Sequence, residues 1–294
     1  MSAAVSIDGV LVDPATASVP VMDRGFLYGD SAFEVTRTYR GQPFAVGAHL
    51  ARLRASCGAL GIALGVTDDA LRGWIHAALG AASLDGERYV RVIVTRGTTP
   101  IGLGTGRGEN SRVVIVVLGL PDQPPGLYAD GVELATVTTA RALDGTGAGG
   151  AKASNYLPNI LSLAAARERG GYEALSVGPA GEILEGATSN VFLVRGGVVH
   201  TPPLRVGILG GITRRLVIEA AADEGVEVVE RLMFPPDLYR SDEAFITSSL
   251  REVVPVVRAD GVTLGDGRPG PMTKRLHAAF RRRAEALLAQ EQTG

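Results

Sequence analysis

The chain has 294 residues, 46% of them hydrophobic, with 29 Lys+Arg against 31 Asp+Glu and a formal net charge of −2. This is an ordinary globular composition, long enough for two domains with real cores, and its near-neutral balance argues against broad nucleic-acid binding. No apolar run approaches the roughly 18–20 residues of a membrane span, the first residues lack the pattern of a signal peptide, and Cys57 is the only cysteine. No intrachain disulfide or thiolate metal cluster is therefore expected, and the cytoplasm is the default compartment.

In chain order, "SAFEVTRTY" (31–39) alternates as a strand, with Phe33, Val35, Arg37 and Tyr39 on one face. "AHLARLRASCGALGI" (48–62) and "DDALRGWIHAALGAA" (68–82) have helical spacing, and Thr67 is placed to cap the second. "RYVRVIVTRG" (88–97) and "RVVIVVLG" (112–119) read as strands on either side of a glycine-rich stretch. "LPDQPPG" (120–126) breaks all periodicity and marks a linker at 120–127, between an α/β domain at 1–119 and a second domain at 128–294. Beyond it come strand "VELATVTTA", a helix at about 156–169 and short hairpin-like strands over 173–203. A helix at about 212–225, strands "EAFIT" (243–247) and "VVPVVRADG", and a terminal helix complete the chain.

Lysine occurs only at 152 and 274, so arginine fills the other 27 of the 29 basic positions. A guanidinium stays protonated, whereas a lysine amine can lose its proton and attack a carbonyl. Lys274 lies among arginines on the terminal helix and reads as surface. Lys152 lies in "GTGAGGAKASNYLPN", close to a phosphate-loop pattern. Ala151 and Ala153 are insertions that such a loop does not tolerate, because its backbone N–H groups, lysine and hydroxyl must converge on one polyphosphate.

Three further features lie downstream. Glu185 in "ILEGATSNVF" is an acid among small and apolar residues. Thr213 in "GGITRR" opens a helix, where it could simply cap the first turn or help an anion to the helix N-terminus. Ser248 and Ser249 in "TSSLREVVPV" follow a strand end. An amine, a carboxylate and an anion cradle are together what pyridoxal phosphate needs.

The ordered motifs K-x-x-N-Y, E-G-x-x-S-N-x-F, G-I-T-R and T-S-S-x-x-E-x-x-P-V resemble the fold-type IV pyridoxal-phosphate enzymes over nearly the whole chain. That family includes branched-chain aminotransferases, D-amino-acid transaminases, (R)-amine transaminases and aminodeoxychorismate lyases. The resemblance implies a two-domain α/β (α+β) fold, with a small α/β domain and a larger pseudo-barrel domain, and a cytoplasmic homodimer without nucleic-acid or membrane partners.

It also implies roles. Lys152 would form the imine with pyridoxal 5'-phosphate and shuttle the proton, Glu185 would pair with the ring nitrogen, and Tyr156 would bond the ring's phenolic oxygen. Arg52 would clamp the phosphate with Ile212, Thr213, Ser248 and Ser249. Phe33, Arg37, Tyr89 and Arg91 would face the substrate, with Arg91 of the "YVR" stretch receiving a carboxylate. Ile101 and Leu103 stand where D-amino-acid transaminases carry an arginine and a histidine as a carboxylate trap. The implied activity is ping-pong transfer between a neutral or branched-chain amino acid and 2-oxoglutarate or pyruvate. D-amino-acid or (R)-amine transamination and aminodeoxychorismate lysis are the alternatives.

Overall fold

The computed structural model describes residues 3–104, 106, 110–138 and 150–293. The chain forms two compact units: Met1–Asp122 with Ala151–Tyr156, and Gln123–Gly150 with Leu157–Gly294.

The first unit contains β1 (Ala4–Ile7), β2 (Val10–Val12), α1 (Arg24–Tyr28), β3 (Ser31–Tyr39), β4 (Gln42–Pro43), α2 (Val46–Ala59), α3 (Asp68–Ala81), β5 (Arg88–Thr95) and β6 (Arg112–Gly119). Its sheet runs β2-β1-β6-β5-β3-β4. Strand alternation sorts the side chains. Val90, Val92, Val94, Val113, Ile115 and Val117 face α2 and α3, where Leu50, Leu53, Cys57, Leu71, Ile75 and Ala78 complete a closed core. Thr67 caps α3 as predicted, its hydroxyl accepting from the Ala70 N–H at 3.3 Å. The strands β1 and β2 and the short α1 have no counterpart in the sequence reading.

The opposite face of β3 and β5 carries Phe33, Arg37, Tyr89 and Arg91, the residues expected to face the substrate. The two strands pair antiparallel, with Phe33 opposite Ile93, Val35 opposite Arg91 and Arg37 opposite Tyr89. All six side chains therefore lie on the side away from the helices.

The sequence reading put residues 151–156 in the second domain, whereas the structure packs them with the first unit. The Phe33 N–H donates to the Lys152 carbonyl at 3.0 Å and the Ser154 N–H to the Ser31 carbonyl at 2.8 Å. These bonds make an isolated antiparallel bridge between Ala32 and Ala153. The lysine stretch extends the pairing of β3, although far removed from it in sequence.

The second unit contains β7 (Val132–Thr138), α4 (Leu157–Glu168), β8 (Glu173–Val177), β9 (Ile183–Gly186), β10 (Asn190–Arg195), β11 (Val198–Thr201), α5 (Ile212–Asp223), β12 (Val228–Glu230), α6 (Pro235–Tyr239), β13 (Glu243–Ser248), β14 (Glu252–Ala259), β15 (Val262–Thr263) and α7 (Pro271–Thr293). The main path of its sheet is β12-β11-β10-β13-β14-β7-β8-β9, with β15 on β14. Gly186 at the end of β9 donates its N–H to the Ser189 carbonyl at the start of β10, 2.7 Å away. This tight turn lays β9, the last strand of the path, beside β10 in its middle, so the sheet curls back on itself as a pseudo-barrel. Leu134, Leu175, Ile183, Val191, Leu193, Ile246, Val254 and Val256 fill one face. Asn190, Phe192, Phe245 and Thr247 lie on the other, where the Phe192 and Phe245 rings stack at 4.8 Å.

Candidate active site

The predicted residues fall into two sets, one in each unit. In the first unit, the Lys152 ammonium lies 3.3 Å from the Tyr156 hydroxyl and 4.5 Å from the centre of the Phe33 ring. The same ring receives the Arg91 guanidinium at 4.0 Å and meets the Tyr156 ring edge-on at 5.1 Å. Phe33 is 2% exposed, so this aromatic floor is fixed by packing. The Lys152 backbone is also pinned, its N–H donating to Ser56 Oγ on α2 at 3.1 Å. The arrangement presents a primary amine beside a phenol, with a guanidinium across the ring. Arg37 and Tyr89 lie further along the same sheet face, and the Arg37 guanidinium rests over Tyr39 at 4.6 Å.

Arg52 grips Glu34 with two parallel bonds, Nε to Oε1 at 2.7 Å and Nη2 to Oε2 at 2.8 Å. His49 Nδ1 reaches Glu34 Oε2 at 2.7 Å. Burial alone would push the Glu34 carboxyl up, but hydrogen bonds from Arg52 and His49 hold it down at about 2. Burial drives His49 the other way, toward its neutral form.

In the second unit, Glu185 is 7% exposed and its Oε2 accepts from the Leu209 N–H at 3.0 Å and from Asn190 Nδ2 at 3.4 Å. Asn190 also donates to the Leu209 carbonyl at 2.9 Å, tying the carboxylate to the loop that leads into α5. A Cβ on Gly211 would lie 2.0 Å from Asn190 Oδ1, so only glycine lets that loop approach.

Of the two roles open to Thr213, capping is corrected by the structure. Gly211 occupies the N-cap and brings no side chain to cap the helix, and Ile212 and Thr213 are buried in its first turn. The helix begins two residues earlier than a threonine cap would require, because the two glycines permit the tight approach. Ser248 ends β13, its Oγ accepting from Arg251 Nε at 3.1 Å, and Ser249 follows in the turn. Thr247 is 2% exposed, and its Oγ1 has no hydrogen-bond partner among the described residues.

These features fit pyridoxal phosphate. A helix N-terminus behind paired glycines, with no side chain at its N-cap, suits an anion, a buried unsatisfied hydroxyl lies on the adjoining strand, and Glu185 is oriented by Leu209 and Asn190.

Residues 31–259 match the family described as amino-transferase class IV. The chain is a class IV aminotransferase. A putative branched-chain-amino-acid aminotransferase of Methanocaldococcus jannaschii is 35% identical over 275 residues, covering 94% of each chain. A D-alanine aminotransferase of Bacillus licheniformis is 32% identical over 94% of this aminotransferase and 95% of its own length. The branched-chain aminotransferase structure from Escherichia coli superposes with a TM-score of 0.91 at 30% identity, covering 97% of this chain and 95% of that one.

Several residues that organise the aminotransferase were not singled out from sequence. Glu34 sits on the helix-facing side of a strand whose other side carries Phe33, and a charge among apolar core positions was its only signal. Asn190 lies inside the E-G-x-x-S-N-x-F motif without a role assigned to it. Ser56 has no local signature, because it acts on a backbone amide 96 residues away. Glu173 is 1% exposed and accepts from Arg251 at 2.9 Å and Thr188 at 2.7 Å. It therefore braces the turn that carries Ser248.

Proposed function

We propose that this aminotransferase moves an amino group between a neutral or branched-chain amino acid and 2-oxoglutarate or pyruvate, with pyridoxal phosphate as cofactor and ping-pong kinetics. The observation that carries the reading is the Lys152 amine, set 3.3 Å from the Tyr156 hydroxyl against the Phe33 ring that Arg91 also covers.

Bound pyridoxal phosphate supplies an aldehyde to carry the amino group and a heterocycle to accept the electron pair left at the substrate Cα. Lys152 would hold it through its amine and would be the base that moves the Cα proton. Tyr156 holds the lysine's position through its hydroxyl and would bond the phenolic oxygen. Glu185, fixed by Leu209 and Asn190, keeps a proton on the ring nitrogen by ion pairing. Arg52, Ile212, Thr213, Ser248 and Ser249 hold the phosphate. Phe33, Arg37, Tyr89 and Arg91 receive the substrate, with Arg91 on its carboxylate.

The likeness to a D-alanine aminotransferase favours one second reading, transfer from D-amino acids or (R)-amines. Against it, Ile101 and Leu103 are apolar and 75% and 84% exposed, where the resemblance would need a cationic trap. Offering the holoenzyme L-leucine, D-alanine or (R)-1-phenylethylamine, each alone, decides by which one converts the cofactor to its amine form. Conversion by L-leucine is expected. Conversion by none of the three, with pyruvate released from aminodeoxychorismate, would make the protein a lyase.

The reading includes a cytoplasmic homodimer. Phe26 on α1 of the first unit is 68% exposed, and Leu157, Ile160 and Leu161 on α4 of the second are each more than half exposed. These are apolar surfaces that a second copy would cover. Light scattering should give twice the chain mass.

A further inference from the structure

We propose that Glu34 is a positioning residue for the cofactor phosphate, acting through Arg52. The proposal rests on the reading of Arg52 as a phosphate ligand.

Glu34 lies on the side of β3 that faces α2, and its carboxylate is 2% exposed. A carboxylate buried there is costly unless it is fully bonded. It meets that cost with three contacts: two from the Arg52 fork, at 2.7 and 2.8 Å, and one from His49 at 2.7 Å. A fork–fork pair fixes the plane of the guanidinium as well as its place. With the Nε side given to Glu34, an anion must be read by the far side of Arg52, along a direction set before it binds.

The same helix fixes the amine. Arg52 and Ser56 are four residues apart on α2, and Ser56 holds the Lys152 N–H at 3.1 Å. Phosphate cation and lysine backbone are therefore referred to one rigid element, about one helical turn of roughly 5.4 Å apart.

Two effects of Glu34 oppose each other, which gives the proposal a sign. Its negative charge repels a phosphate and cancels the charge of Arg52, and His49 is neutral and does not restore it. Its geometry pre-organises the donor that the phosphate uses. If charge dominated, Glu34→Gln would tighten phosphate binding. If positioning dominates, the same change weakens it, because one arm of the fork loses its acceptor and the guanidinium swings.

The test is titration of the full-length protein, stripped of cofactor, with pyridoxal phosphate and with pyridoxal. Both are followed by the Lys152-dependent absorbance band, and only pyridoxal phosphate carries the phosphate. Glu34→Gln is expected to weaken pyridoxal phosphate binding by roughly 10- to 100-fold, the range a misplaced group commands, and pyridoxal binding by less than about twofold. In an Arg52→Ala background, Glu34→Gln should cause no further loss for either ligand, since the positioning effect passes through the arginine and only the charge repulsion is left to relieve. Tighter or unchanged pyridoxal phosphate binding in Glu34→Gln would overturn the proposal. So would an equal loss for both ligands. Should Glu34→Gln fail to fold, Arg52→Lys keeps the charge without the fork and must show the same selective loss. A wild-type ratio in that variant also overturns the proposal. A wild-type protein that gives no lysine-dependent band with either ligand refutes the cofactor reading itself, an outcome distinct from the others.

Discussion

Replacing Arg91 with leucine separates substrate recognition from packing. The guanidinium lies 4.0 Å from the Phe33 ring centre, a contact worth roughly 0.5–2 kcal/mol. The charge-assisted bonds proposed between it and a substrate carboxylate would be worth about 1.5–3 kcal/mol. At about 1.4 kcal/mol per decade, the second figure is roughly a 10- to 150-fold loss in kcat/KM for 2-oxoglutarate. The first should appear only as lost stability. Steady-state kinetics with 2-oxoglutarate, a melting curve and the resting absorbance spectrum measure the three quantities separately. The Lys152-dependent band should stay as in the wild type, because Lys152 is pinned by Ser56 and Tyr156 independently of Arg91. Unchanged kinetics with 2-oxoglutarate would remove Arg91 from the substrate site. A lost band would mean that the arginine serves the lysine's environment and not the substrate.

Three more outcomes follow from the buried charges and the caps. The Glu34 carboxyl is held at about 2 against an ordinary 4.5, so the unfolded chain takes up its proton first as pH falls. The stability it contributes is complete above about pH 4.5 and lost toward pH 2, on the order of 3 kcal/mol at 1.36 kcal/mol per unit. Urea midpoints at pH 5 and pH 2.5 should differ less in Glu34→Gln than in the wild type, and parallel curves would refute the linkage. Glu252 has no exposed side-chain surface and holds His277 Nε2 and Arg281 Nε of α7, each at 2.7 Å. Arg281 is largely exposed and is solvated once the acid is gone, so Glu252→Ala should cost roughly 1.5–3 kcal/mol, the worth of hydrogen bonds to a charged group, and expose α7 to early hydrogen exchange; protection equal to the wild type would count against this anchor. Thr67→Ala should cost about 1 kcal/mol in denaturant unfolding and leave turnover unchanged, and slower turnover would show that α3 bears on the site.

The regular elements were legible where one periodicity governed many residues. The alternation over 31–39 and 112–119 gives the same ends as the observed β3 and β6, and the helical spacing over 68–82 overruns α3 by one residue. What was not legible depends on distant partners. Residues 151–156 join the first unit through two backbone bonds to β3, and backbone bonds leave no mark on side-chain pattern. The α5 start near 212 was read correctly, but the part Thr213 plays there was not legible, for a related reason. A threonine near a helix start looks like a cap, yet the determining residue is Gly211, whose missing Cβ is required by Asn190 from β10.

The scarcity of lysine in the composition has a physical counterpart in the structure. Arginine recurs where several fixed donors are needed around an acid: as a two-pronged fork in Arg52 on Glu34 and in Arg96 on Asp30, through Nε at 2.7 Å and Nη2 at 3.0 Å, and in Arg251, which reaches Glu173, Ser248 and Thr188 from one guanidinium. Lysine would fill each of these poorly, because an ammonium is a point charge without a plane. Lys274, by contrast, is exposed on α7, where either cation would serve. Lys152 alone pairs a half-buried amine with a phenol and an aromatic floor, a position in which a guanidinium could bind but could not exchange a covalent bond. The role proposed for residue 152 needs the chemistry of an amine and not only its charge. The same logic predicts that Lys152→Arg preserves the charge and the Phe33 contact while abolishing the borohydride-sensitive band. If the band survived that substitution, the reacting amine would have to be elsewhere.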